Sequence, residues 1–207
     1  MKRSTWDQDS SAVATMKRIR AFIALKLPES VSGAIRNVQE QLVGHRLNVR
    51  WVKAENIHLT LKYLGDIDAA RVDDVAAALE GAAVHTRPFY LSAKGGGVFP
   101  NVKRARVIWV GVAGQVTALV ALQEAVETEL AAIGFPSSGR RFTGHLTLGR
   151  SKGAIDAGRL LAAMDDMRRF ESEPFIAERI IIFRSELQPT GAVYTELRKV
   201  VLRPHQG

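Results

Sequence analysis

A chain of 207 residues, 46% hydrophobic and 24% charged, has the make-up of a compact globular protein and excludes wholesale disorder and fibre-type repeats. The absence of cysteine rules out disulfides, thiolate metal sites and cysteine nucleophiles, and makes a reducing, cytoplasmic compartment the expectation. Twenty-nine Lys and Arg against 21 Asp and Glu leave a net charge of +8, which suits a polyanionic partner through steering and counterion release.

Residues 1–17 are polar and lack a clean period or the apolar core of a signal peptide, so they read as a loose leader before a domain spanning 18–207. Ile19–Leu27 has the length and flanks of a buried strand. Pro28 then opens a helix whose inner face carries Val31, Ile35, Val38 and Leu42, and Gly44 stops it. Strands are expected at Val49–Val52 and Ile57–Leu64, then a helix from Asp68 to about Ala83. Phe89–Ala93 and Ala105–Val112 read as strands around a turn at Gly95–Gly97. A long helix follows at Val116–Ile133, a strand at Arg141–Leu148 and a helix at Ala157–Arg168. Ala177–Leu187 and Val193–Leu202 read as a hairpin about Gln188–Gly191.

No G-x-x-x-x-G-K-[ST] or G-x-G-x-x-G stands at a strand–helix junction, which argues against P-loop and Rossmann folds. The pattern fits an α+β fold of antiparallel sheets with helices on their outer faces. No apolar run approaches the roughly 18–20 residues of a membrane-spanning helix. The basic residues fall in short clusters such as Lys103–Arg106 and Arg140–Arg141, which suits a cleft better than a nucleic-acid-binding tail.

One tetrapeptide recurs. His58–Leu59–Thr60–Leu61 returns as His145–Leu146–Thr147–Leu148, each in a strand context. Residues i and i+2 of a strand share a face, so His58 and Thr60 point one way and the leucines the other, as in the second copy. Two such strands side by side would bring two imidazoles and two hydroxyls to one spot. Imidazoles titrate near neutrality, so one can accept a proton while the other donates one, and threonine hydroxyls can donate to phosphoryl oxygens. A single His-x-Thr is an ordinary half-buried pair; a matched repeat is not. No H-E-x-x-H, cysteine or His–carboxylate cluster suggests a metal, and no G-x-S-x-G suggests a serine nucleophile. His45, His85 and His205 match no motif and read as solvated surface.

The paired His-x-Thr motifs resemble the signature of the 2H phosphoesterases. Arg20–Pro28, Arg50–Trp51, Glu55–Gly65, Gly95–Gly111, Phe142–Arg150, Ser185–Leu187, Gly191 and Tyr194 look like the RNA 2′,3′-cyclic phosphodiesterases of the ThpR/LigT group, also called 2′-5′ RNA ligases. The resemblance covers residues 18–202. It implies two pseudo-symmetric lobes with antiparallel sheets flanking a central cleft, and hydrolysis of RNA 2′,3′-cyclic phosphate ends to 2′-phosphates without metal or other cofactor. The partner is then RNA with such an end or a small cyclic nucleotide, with no membrane involved and a monomer expected. Ligation through a 2′–5′ bond, or RNA-end binding without turnover, are the alternatives. By resemblance His58 is the acid at O3′, His145 the base for water, Thr60 and Thr147 hold the phosphate, Arg150 faces substrate and Phe22 stacks on the terminal base. Gly144 and Ala105 replace prolines usual in the family.

Overall fold

The computed structural model describes residues 17–189 and 191–203. The expected leader, apart from Lys17, and His205 lie outside the described residues. Among the described residues nine strands and four helices alternate irregularly. In chain order the elements are β1 (Arg18–Lys26), α1 (Glu29–Gly44), β2 (Val49–Trp51), β3 (His58–Asp68), α2 (Val72–Val84), β4 (Phe89–Phe99), β5 (Val107–Gly114), α3 (Val116–Ala132), β6 (His145–Ser151), α4 (Ala157–Met167), β7 (Phe175–Ala177), β8 (Arg179–Gln188) and β9 (Gly191–Val201). The expected α+β class is what the chain adopts. Among the described residues no helix is long and apolar enough to cross a membrane.

Local chemistry accounts for the main elements. Pro28, at φ −70°, caps α1, where its missing N–H costs nothing, and Glu29 complements the helix dipole. Val31, Ile35, Val38 and Leu42 recur at helical spacing and are buried. β1 is buried on both faces: Ile23 and Leu25 enter the main core, while Phe22 and Ala24 join a smaller cluster with Ile181 and Phe183. All four helices contribute to the main core, so they cover one face of the sheet.

The strands form one antiparallel sheet in the order β7-β4-β5-β6-β3-β1-β8-β9, with β2 added to β6. The two lobes expected from the sequence are its two halves, β1, β3, β8 and β9 on one side and β2, β4, β5, β6 and β7 on the other. They meet at β3 and β6, where a single residue pair, Leu59 with Leu146, is in register.

Two local expectations are corrected. The glycines at 95–97 do not turn the chain: β4 runs through them and pairs with β5 as far as Phe99 with Val107. Gly95 (φ +60°) is the extra residue of a β-bulge. Gly96 and Gly97 lie directly under Met167 and the Trp109 indole, leaving no room for a Cβ. The reversal comes later, around Pro100–Arg106. The strand expected from Arg141 starts instead at His145, because its pairing with β5 ends at Gly111–His145.

Since the two halves of the sheet pair through one leucine pair, that pair should be sensitive. Leu59→Ala or Leu146→Ala is expected to destabilise the fold by about 2–5 kcal/mol, the usual range for a buried Leu→Ala change. Urea unfolding of each variant would check this; a loss near zero would contradict the role given to the joint.

Candidate active site

Leu59 and Leu146 are fully buried (0% exposed), so the alternation of each strand turns His58, Thr60, His145 and Thr147 to the sheet's other face. The antiparallel register about Leu59–Leu146 sets His58 across from Thr147 and Thr60 across from His145. The four side chains singled out in the sequence are thereby brought together in one crossed quartet.

The two histidines are held alike. His58 Nδ1 donates to the carbonyl of Asn56 at 2.7 Å, and His145 Nδ1 donates to that of Thr143 at 2.8 Å. A carbonyl only accepts, so each Nδ1 carries a hydrogen and each Nε2 is the atom that exchanges protons. Aromatic rings fix both imidazoles. Phe22 stacks on His58 at 4.5 Å and Tyr194 meets its edge at 5.2 Å. On the other side Phe99 packs edge-on to His145 at 5.0 Å, with Trp109 at 6.4 Å. Gly144 suits the close entry to β6, since a Cβ there would lie 2.8 Å from Val112 and 3.0 Å from Leu119.

Plain alternation would bury Arg150 beside Leu146 and Leu148. A bulge prevents it: Ile108 pairs with Gly149 and Trp109 with Thr147, so Leu148 is an extra residue in β6. Leu148 and Gly149 are both buried and Arg150 emerges exposed on the face of the histidines. Its charge acts on both His58 and Tyr194. The same device follows the first motif, where Leu61 is extra between Thr60 (opposite Ala24) and Lys62 (opposite Ile23). It sends Lys62 inward, to a buried ion pair with Glu127 and a 2.9 Å bond to the Pro136 carbonyl, and Tyr63 outward.

Phe22 differs from the expectation. It is 4% exposed, with its ring packed in a cluster with His58, Phe183 and Tyr194, so it supports the imidazole and offers no open surface to a base. His45 is also more than a solvated group, since its Nε2 lies 2.6 Å from Asp166 Oδ2 and ties α1 to α4. Among the described residues no three His, Cys, Asp or Glu side chains converge as a metal site. A cavity of about 80 Å³ bordered by Lys26, Asn56 and Glu196 lies beside His58. A larger groove of about 1020 Å³ runs between α3 and the loop before β6, past Arg140, Arg141 and Thr143.

Burial lowers the His58 pKa from 6.5 to about 4, against the Asn56 carbonyl, which raises it; the charges of Arg150 and His145 lower it further. Tyr194 is pushed up by burial, opposed by Arg150 and Arg20.

Comparison with known proteins bears on this repeat. The model of the LigT-like phosphoesterase family matches twice, over residues 25–109 and 110–194, one His-x-Thr in each match. The chain belongs to this family. The RNA 2′,3′-cyclic phosphodiesterase of Methanothermobacter thermautotrophicus is 31% identical, over 87% of this chain and 97% of its own. That of Thermotoga maritima is 32% identical over 86% and 93%. A Thermus thermophilus crystal structure superposes with a TM-score of 0.73, at 28% identity over 89% of this chain and 98% of its own. E. coli LigT in complex with 3′-AMP shares the fold, with a TM-score of 0.69 at 22% identity over 91% of this chain and 100% of its own. The aromatic walls were the part the residues alone did not announce. Phe183 had no signal, whereas Trp109 and Tyr194 sat in the family-like stretches without a stated role.

A half-buried histidine held neutral makes stability depend on pH. Between pH 4 and 6.5 the unfolded chain binds more protons at this position than the folded one, so the contribution of His58 is complete above about 6.5 and is lost as pH falls towards 4. Urea unfolding at pH 7 and pH 5 should show a larger loss for the wild type than for His58→Gln. Equal losses would contradict the neutral state of His58.

Proposed function

We propose that this LigT-like phosphoesterase is a cyclic phosphodiesterase that opens RNA 2′,3′-cyclic phosphate ends to 2′-phosphates. The observation that carries this reading is the crossed quartet, with both imidazoles anchored through Nδ1 and both Nε2 atoms left for proton transfer. In the reaction water attacks phosphorus opposite O3′, one Nε2 takes the water proton, and the other Nε2 gives a proton to O3′ as the P–O3′ bond breaks. Thr60 and Thr147 donate hydrogen bonds to the non-bridging oxygens, and the Arg150 guanidinium offsets their charge. These transfers balance without a metal, so activity is expected to survive exhaustive chelation.

Charge favours an RNA end over a free cyclic nucleotide. Arg50 on β2 pairs directly with Arg150 on β6, so two guanidinium groups share a face and form no ion pair among the described residues. Like charges opposite each other across strands are unfavourable unless an anion lies between them. A neighbouring phosphodiester would serve.

His58 as the acid requires it to gain a proton. Neutral in the free protein, it takes one up with the substrate, because an anion at hydrogen-bond distance raises an imidazole pKa. Titration of the His58 ring by NMR should show a midpoint near 4 in the free protein and a higher one with inorganic phosphate bound. A midpoint still near 4 would make His58 the base and His145 the acid.

Alanine at His58 or His145 is expected to lower turnover by on the order of a hundred- to ten-thousandfold. Alanine at Thr60, Thr147 or Arg150 should cost less. The assay is hydrolysis of adenosine 2′,3′-cyclic phosphate, with 2′-AMP as the expected product. Near-wild-type turnover in a folded histidine variant would overturn the two-histidine mechanism, and 3′-AMP as main product would overturn the regiochemistry.

A further inference from the structure

Two charged side chains that no step of the reaction uses lie inside the protein. Lys62 and Glu127 form an ion pair, with side chains only 5% and 14% exposed. Burying two charges costs desolvation that their attraction barely offsets, so such a pair adds little stability over an apolar one. What it adds is direction. Lys62 Nζ donates to Glu127 Oε2 and, at 2.9 Å, to the carbonyl of Pro136. Glu127 Oε1 accepts a further bond from Gln123 Nε2 at 3.1 Å, one turn earlier on α3. Each charge is thereby held by two partners in one geometry.

The pair spans the two halves of the molecule. Lys62 follows Thr60 by two residues on β3, and the bulge at Leu61 turns it under the sheet. Glu127 lies on α3, the helix that leads to β6, and Pro136 lies in the connecting stretch 133–144. The start of that stretch is tied to the first half again by Arg71, just before α2. Its guanidinium donates to the Ile133 carbonyl at 2.7 Å and lies 5.1 Å from the centre of the Phe135 ring. Among the described residues the side-chain bonds just beyond Pro136 are local, with the Gly139 N–H on Ser137 and the Arg140 N–H on Ser138. The stretch closes on the site at Thr143, whose carbonyl holds His145 Nδ1.

We infer that Lys62 and Glu127 are positioning residues, which set where the 133–144 stretch leaves the first half and so where His145 stands relative to His58 and Thr60. This rests on the cyclic phosphodiesterase reading. One phosphorus must lie within reach of both Nε2 atoms, and a displacement of about 1 Å can cost on the order of a hundredfold in rate. The leucine pair fixes the register of the two strands. The ion pair fixes the approach to the second.

The test removes both charges at once, in Lys62→Met/Glu127→Leu, so that no unpaired charge is left buried. With adenosine 2′,3′-cyclic phosphate, kcat is expected to fall about 10- to 100-fold while KM stays within about threefold of wild type. Ile35→Val, a core change on α1, should keep the wild-type kcat. Should the double variant fail to fold, Gln123→Leu, which removes only the bond supporting Glu127, is read in its place. Its kcat should fall about 2- to 10-fold at unchanged KM. In NMR the His145 Nδ1–H should exchange with solvent faster in the variant than in wild type. Wild-type kcat in the folded variant, a loss confined to KM, or an equal loss in Ile35→Val would overturn the positioning role. If the wild type does not hydrolyse the compound, the function proposed above fails. The positioning role is then read from Nδ1–H exchange alone, which must quicken in the variant and not in Ile35→Val.

Discussion

The geometry of the site depends on one contact, the pairing of Leu59 with Leu146 where β3 meets β6. Among the described residues every other strand pairing lies within one half of the sheet. Because this pair is buried on the helix-covered face, the residues on either side of each leucine must face the open side. A slip of one residue in either strand would turn its histidine into the core and break the quartet. Burial of two leucines therefore fixes register, and register fixes which four polar groups meet.

Two departures from strand regularity then complete the site. The bulges at Leu61 and Leu148 each reverse the face of the residues that follow, which turns Tyr63 and Arg150 to the face of the sheet that carries the histidines. Bulges commonly re-aim side chains near active sites, and here the device occurs once per half. The halves differ in what the bulge turns inward: Lys62 in β3, paired with Glu127 on α3, and Gly149 in β6, packed beneath Val49 and Trp51. The rings around each histidine differ as well. His58 sits deep among Phe22, Phe183 and Tyr194, whereas His145 lies against Phe99 and Trp109. Two like motifs are thereby given unlike environments, which is what an acid and a base acting in one cycle require.

Much of this was legible in the chain. Helix α1 follows from Pro28 and four apolar residues at helical spacing, and the β8–β9 hairpin from apolar runs flanking Gln188–Gly191. The repeated His-x-Thr revealed the quartet because strand alternation is a strong rule over three residues. That rule fails at Leu148, and no local feature of the sequence marks the bulge; Arg150 was placed at the site by family resemblance alone. Phe22 was misread for a related reason. Its position in the strand was right, but its burial comes from Phe183, 161 positions away in the chain. The glycines at 95–97 look like a turn and instead leave room for Trp109 and Met167, a tertiary demand that local composition does not carry.

The central claim is that the two halves deliver both imidazoles to a single phosphate. The most direct measurement is a crystal structure of the protein with adenosine 2′-monophosphate bound. Both Nε2 atoms, of His58 and of His145, should lie within hydrogen-bond distance of oxygens on the same phosphorus. Each Nδ1 should still be bonded to the carbonyl of Asn56 or Thr143. A phosphate held by one histidine alone, or bound in the groove beside α3, would contradict it.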